Sequence, residues 1–232
     1  MSATPLIDQL ARLLERTYDI DSGVVPLGRF VVGDEGHRRL TARRVVVQRV
    51  DAGDSGAGLL LRRADGGAGW AAALYLSDAL VTHLERHDPR RALGTGNVDA
   101  FATLVEEVDH LVTFAERAAT GAEVSLFELE WHAAVSKYLV LVHFAARLAG
   151  ASEAAAELRA FVEDHVFHRG EFSDPDPAVR RRYKEAHRLG WRFVRRLREI
   201  PAEERLARLR RFQRGFDPRC RRSPRRRRRM RR

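Results

Sequence analysis

The sequence predicts an α+β fold that is predominantly helical, with a small antiparallel three-stranded sheet near the N-terminus. Apolar residues recur at helical spacing almost without interruption from Asn97 to Arg214, which is typical of packed amphipathic helices. Before that region, three β-rich runs are joined by glycine-rich turns, the pattern of an antiparallel meander. With 232 residues, 44% of them hydrophobic, the chain can bury one substantial core. We therefore expect a single domain over residues 1–218, with a helix and the sheet in 1–95 and a helical part in 96–218.

The elements before residue 95 follow from capping and turn residues. Thr4 and Pro5 are typical of a helix start, the threonine as N-cap and the proline at the first helical position. Apolar spacing then carries this helix to Tyr18. A short extended piece is expected at 30–32, and Ser77 is expected to cap a second helix. Between these helices lie the β-rich runs 43–50, 59–63 and 70–76.

Breaks in the apolar spacing divide the helical part. The clearest break is the linker 171–177, which contains two Asp-Pro pairs. The first two helices of this part are expected to pack against each other, and the first presents a broad apolar stripe that must face the core. The helix at 178–199 combines a packing face with a strongly basic face that could meet RNA, DNA or an anionic membrane surface. The predicted helices are 98–119, 126–148, 152–167, 178–199 and 202–214.

The formal net charge of +10 is concentrated at one end of the chain. Ten of the 42 basic residues lie between Arg219 and Arg232, and the remaining basic residues equal the 32 acidic residues in number. Residues 219–232 are a low-complexity run that cannot build a core, and we expect this tail to be disordered. Because such a run neutralises phosphates with little sequence preference, it is a candidate polyanion contact, whereas the body of the chain is neutral.

Cysteine usage and hydropathy exclude several classes of protein. Cys220 is the single cysteine, so we expect neither an intramolecular disulfide nor a cysteine-built zinc site, and any metal must be bound by histidine and carboxylate. The N-terminus lacks the uninterrupted apolar core of a signal peptide. No run approaches the roughly eighteen apolar residues that a membrane span needs. The expected location is the cytoplasm, and the sequence does not identify a protein partner.

Residues 97–138 hold carboxylates and histidines at ligand-like spacing within apolar sequence. Glu106 and His110 are four residues apart and therefore adjacent on a helix, with Glu107 beside His110. The segment Glu-Glu-Val-Asp-His at 106–110 resembles the H-E-x-x-H motif of zincin metallopeptidases, with Glu106 in place of the first histidine. In that motif the two histidines bind zinc, and the glutamate after the first activates a bound water.

The spacing to the next helix extends this resemblance to the gluzincin branch of the family. Its thermolysin-like members have nineteen residues between the second motif histidine and a glutamate ligand, and nineteen also separate His110 from Glu130. The resemblance implies that Glu106, His110 and Glu130 bind zinc or another divalent metal, and that Glu107 stands where the general base stands. It implies a peptidase-like, metal-dependent hydrolase. Because Glu106 replaces a neutral nitrogen with an anionic oxygen, a degenerate member that retains only the fold is the other form of this hypothesis.

Two alternatives remain open at the sequence level. Glu128 and His132 share one face of the second helix, with Glu130 about 160° away from Glu128, so these two residues are an alternative ligand pair resembling helical-bundle metal sites. Ser125 and Glu128 also form a capping box, which already gives Glu128 a structural task. In the other alternative, all these polar side chains are capping or solvated residues of a non-catalytic interaction protein.

Overall fold

The computed structural model describes residues 4–42, 48–50, 56–64, 69–150, 154–169 and 175–215. Within these ranges the chain forms eight α-helices and one four-stranded sheet, and the sheet lies in the N-terminal half. The predicted fold class is therefore confirmed. The helices are α1 (Leu6–Tyr18), α2 (Asp34–Ala42), α3 (Asp78–Arg86), α4 (Val98–Ala119), α5 (Leu126–Ala149), α6 (Ala154–Glu163), α7 (Pro177–Glu199) and α8 (Ala202–Gly215).

The sheet contains the predicted antiparallel meander and one further strand. Strands β2, β3 and β4 pair antiparallel in sequence order, with Leu60 opposite Ala73 at the centre of the β3–β4 pair. Strand β1, which lies in the extended piece expected at 30–32, pairs parallel with the other edge of β4 and makes the sheet mixed. The strands are β1 (Val31–Val32), β2 (Gln48–Val50), β3 (Ala57–Arg63) and β4 (Trp70–Leu76).

The observed helix starts agree closely with the capping residues that the sequence predicts, with one exception. The side chain of Ser77 accepts a hydrogen bond from the backbone of Leu80, and Ser125 forms the expected capping box. Thr4 is not the N-cap of α1. Pro5 takes that position, because its backbone is extended and its carbonyl accepts the first helical hydrogen bond from Gln9.

Helix α2 was not expected from the sequence. None of its residues is buried, so it leaves no apolar stripe in the sequence. Glu35 instead forms ion pairs with Arg38 and Arg39, three and four residues along the helix, a local stabilisation that periodicity does not reveal.

Parts of several predictions fall outside the described residues. They include the first half of the run at 43–50, the start of the helix at 152–167, part of the linker at 171–177 and the tail at 219–232. Polyanion binding by the tail therefore stays a prediction. Among the described residues, no helix is both long enough and apolar enough to cross a bilayer.

Helix α4 lies at the centre of the fold. It packs against β3 and β4, against α1, and against α5, which α6 and α7 cover in turn. The predicted packing of α4 against α5 is confirmed. Buried residues of the sheet and the surrounding helices form one hydrophobic cluster. Because every residue of α4 between Leu104 and Phe114 is buried, the polar side chains of that segment face neighbouring helices and not water.

Gly190 sets how closely α7 approaches α5. A Cβ at this position would lie 3.0 Å from the Cβ of Ala134 and 3.5 Å from Cε1 of Phe167. We expect Gly190→Val to lower the free energy of unfolding by about 1–3 kcal/mol, because overpacking forces neighbouring groups to shift. Urea denaturation measures this loss. Lys184→Val, at an exposed position of the same helix, is the control, and equal losses in the two variants would contradict the close packing.

Candidate metal centre

The ligand-like residues of α4 are buried. Glu106 is 7% exposed, Glu107 1% and His110 1%, so the interpretation of these side chains as solvated helix residues is wrong. They are buried because the face of α4 that carries them packs against α5. A charged side chain in such surroundings must be neutralised, ion-paired or bound to a metal, because desolvation of an isolated charge is very costly.

Glu130 reaches the same point from α5. Its Oε2 lies 3.9 Å from Nε2 of His110. One potential ligand atom each from Glu106, His110 and Glu130 all lie within 4.8 Å of one another, so this group could hold a metal ion. Ligand atoms around a tetrahedral zinc, with bonds of about 2.0–2.1 Å, are roughly 3.3 Å apart. An ion would therefore draw these side chains together by about 1 Å, within the reach of small side-chain rotations.

Two of these side chains, His110 and Glu130, have buried polar atoms that make no hydrogen bond within the described part of the chain. They include Nε2 of His110 and Oε1 of Glu130. Buried polar side-chain atoms in proteins nearly always have a partner, so such atoms point to a bound ion or an ordered water.

Glu107 contacts the other nitrogen of the His110 ring. Its Oε2 lies 3.5 Å from Nδ1 of His110, so Glu107 and Glu130 lie next to opposite nitrogens of the same imidazole ring. Metal-binding histidines usually donate their second N–H to a carboxylate, which fixes the tautomer and the ring orientation. This is the position in which Glu107 lies.

Lys137, two and a half helix turns beyond Glu128 on α5, neutralises the charge of Glu106. Its Nζ donates a hydrogen bond of 2.8 Å to Oε2 of Glu106, and Lys137 itself is only 7% exposed. Burial raises the pKa of Glu106, but the charges of Lys137 and His110 outweigh burial and hold this pKa below its usual range. Glu106 is therefore ionised inside the protein.

The protons on His110 and Glu130 complete the charge balance. Burial lowers the pKa of His110, but the contact with Glu107 and the charges of Glu130 and Glu106 outweigh burial and raise it to about 9. Burial raises the pKa of Glu130 to about 8. At pH 7 His110 is therefore cationic and Glu130 neutral. The Glu106 carboxylate then has two cationic partners, Lys137 and His110.

Helix α7 adds two residues that the sequence did not reveal. The hydroxyl of Tyr183 hydrogen-bonds Glu130, and burial raises the pKa of this tyrosine well above its usual range. His187 lies near Glu106 and Lys137, and burial lowers its pKa to about 3, so it is neutral. The backbone of Val166, in the π-helical turn Asp164–His168, hydrogen-bonds His187. The sequence could have indicated both residues, because a spacing of four places Tyr183 and His187 on the same face of a helix.

The alternative ligand pair is not brought into this group. Glu128 remains at the helix start, where its Oε2 accepts hydrogen bonds of 2.9 Å from the backbone and hydroxyl of Ser125. His132 pairs with Asp109 of α4, whose Oδ2 lies 2.8 Å from Nδ1. The ring of Phe212 stacks on His132 at 5.4 Å between centroids. Asp109 and His132 thus form a separate buried pair.

No family model matches this chain, and comparisons with curated proteins and with solved structures gave no match. The resemblance to zincins therefore stays a prediction that depends on the motif residues and their spacing. The function has to be inferred from the geometry of the buried group.

Proposed function

We propose that this chain is a metal-binding protein that holds one divalent ion, zinc in the first instance, between α4 and α5. The observation that carries the proposal is the convergence of Glu106, His110 and Glu130 in the protein interior, with orphaned atoms on two of them. One imidazole nitrogen and two carboxylate oxygens are a donor set that suits zinc, and also iron or manganese. Three protein ligands leave a fourth position for water.

The net charge of the buried group also favours a divalent ion. A divalent ion can replace the proton of His110 and the proton of Glu130, which are both present at pH 7 because the two pKa values are about 9 and about 8. The exchange leaves the total charge of the buried group unchanged. Lys137 keeps its place beside Glu106, and no charge has to be introduced into or removed from the core.

The zincin-like hypothesis is best supported in its degenerate form. Hydrolysis would require a substrate to reach the ion, whereas the three ligand residues are at most 7% exposed. Glu107, which the resemblance places as general base, lies against Nδ1 of His110. We therefore propose Glu107 as a positioning residue for the His110 imidazole, and ion binding without peptidase activity as the function.

Glu130→Gln tests the proposal with little risk to the fold. Glutamine has the shape of the neutral glutamic acid that occupies this position at pH 7, but its amide is a poor metal ligand. We expect the wild-type protein, purified without a histidine tag, to bind about one equivalent of zinc. Glu130→Gln should weaken zinc binding by more than the roughly 10–100-fold that loss of an outer-shell partner causes. Isothermal titration calorimetry and elemental analysis measure both quantities.

Glu128→Gln is the matched control on the same helix. Glutamine at this position still completes a capping box, and Glu128 lies outside the ligand group, so its zinc affinity should equal that of the wild type. Folded wild-type protein that takes up less than about a tenth of an equivalent of zinc, iron or manganese would overturn the proposal. Equal affinity in Glu130→Gln and wild type would show that the ion binds elsewhere.

A further inference from the structure

A groove of about 600 Å³ is lined by residues of α7 and α8 and by Trp131 of α5, and none of the candidate metal ligands lines it. Its volume falls within the range of roughly 300–1,000 Å³ that is typical of small-molecule sites. The floor is continuous and apolar, since the ring of Phe212 stacks on Phe193 at 4.4 Å and meets the edge of Trp131 at 5.4 Å. The floor residues are Trp131, Leu189, Phe193 and Phe212.

The rim of this groove is cationic. Four exposed arginines line it, and none of the described lining residues is acidic. The arginines are Arg192 and Arg196 of α7 and Arg208 and Arg211 of α8. The ion pairs that the described parts of α7 and α8 do form involve Arg188, Arg198 and Arg210, which lie outside the groove. The groove therefore concentrates positive charge around an apolar surface, and it attracts anions.

We propose that this groove binds a single-chain amphiphilic anion of the chemical class of the fatty acids. The carboxylate would pair with the arginines of the rim, whose planar guanidinium groups suit a carboxylate. The hydrocarbon chain would lie on the floor formed by the three aromatic rings and Leu189. This site is separate from the metal centre, and its occupation does not depend on a bound ion.

Two other occupants fit this groove less well. Residues 219–232, which follow shortly after the groove-lining Gly215, carry ten arginines and no acidic residue, so the rim repels that segment. Single-stranded nucleic acid is bound by open aromatic faces on which bases stack. Here Phe193 and Phe212 stack on each other, and Phe212 is only 8% exposed. An aliphatic chain needs no free ring face.

Calorimetric titration of the full chain with decanoate tests the proposal, because decanoate is monomeric at the concentrations used. We expect binding of one equivalent. Arg196→Gln/Arg208→Gln should weaken it at least about tenfold, since each charge-assisted hydrogen bond lost has an effect of this order. Hexanoate should bind at least about 30-fold more weakly than decanoate, because each methylene in contact with the floor adds roughly fourfold. Uncharged 1-decanol should also bind more weakly than decanoate.

The control variant removes the same charge from the same two helices outside the groove. Arg181→Gln/Arg214→Gln should bind decanoate within about twofold of wild type, and thermal unfolding should show both double variants folded. Equal affinities in wild type and the rim variant would overturn the proposal, as would equal losses in the rim and control variants. Equal affinities for hexanoate and decanoate would reject the apolar floor. Rim-dependent binding of a thymidine decanucleotide without binding of decanoate would assign the groove to nucleic acid instead.

Discussion

Lys137→Met should lower the free energy of unfolding of the metal-free protein by about 3–5 kcal/mol, the usual cost of removing one partner of a buried ion pair. Methionine preserves most of the volume of the lysine side chain, so the change removes charge and not packing. Glu106 then remains buried at 7% exposure without its partner at 2.8 Å. Urea denaturation at pH 7 with a chelator measures the loss. Lys184→Met, at the chain's only other lysine, is exposed and should change stability by less than about 0.5 kcal/mol.

A double-variant cycle separates the ion pair from general disturbance of the core. Glu106→Gln alone leaves Lys137 buried and unpaired, so it should also destabilise the protein. Glu106→Gln combined with Lys137→Met removes both charges and should recover most of the stability, which gives a large coupling energy. Losses that simply add would contradict a direct pairing. Saturating zinc should reduce the deficit of Lys137→Met, because the ion then balances the charge of Glu106.

Local spacing was sufficient to pair Glu106 with His110 in the sequence. A separation of four residues places Glu106 and His110 one helix turn apart whatever the tertiary structure. Glu130 also has apolar neighbours on its helix, among them Ala133 and Ala134, and such neighbours favour a desolvated carboxyl group. The structure agrees, since Glu130 is 2% exposed and burial raises its pKa to about 8.

Contacts between residues of different helices could not be predicted from the sequence. The pairing of Lys137 with Glu106 depends on how far α5 is shifted along α4, and no residue pattern within either helix fixes that shift. Tyr183 and His187 reach the site only because Gly190 lets α7 come close to α5. The choice between Glu130 and the pair Glu128 and His132 was likewise open until the rotation of α5 was known. Such features arise from packing between helices distant in sequence.

The metal-free protein should become less stable as the pH rises from 6.5 to 9. His110 and Glu130 have folded-state pKa values of about 9 and about 8, above their ordinary values of 6.5 and 4.5. The folded state therefore holds more protons than the unfolded state in this range. The stabilisation is complete below the ordinary pKa of each group and is lost as the pH passes the folded-state value. Both groups act between pH 6.5 and 8, so stability should fall by roughly 2–3 kcal/mol per pH unit there.

His187 has the opposite effect on the pH dependence of stability, and it acts at acidic pH. Its pKa is lowered to about 3 by burial, so its contribution has the opposite sign: it is present above pH 6.5 and is lost as the pH falls toward 3. Between about pH 4.5 and 6.5 the gain from His187 and the loss from Glu130 cancel, so these groups should give the metal-free protein a plateau of maximal stability in that range. Urea denaturation at a series of pH values tests this plateau. Glu130→Gln removes one of the two protons and should halve the slope between pH 6.5 and 8, whereas Glu128→Gln should leave it unchanged.

Zinc binding should release about two protons at pH 7, because the ion takes the place of the proton on His110 and the proton on Glu130. The logarithm of the zinc association constant should then rise by about two per pH unit up to pH 8, by about one between pH 8 and 9, and little above that. Calorimetry in buffers of different ionisation enthalpy counts the released protons directly. Release of about two protons requires that the ion binds at these two residues. A count near zero would mean that any bound zinc contacts neither His110 nor Glu130, and the buried group would then be an internal ion-pair network held by Lys137.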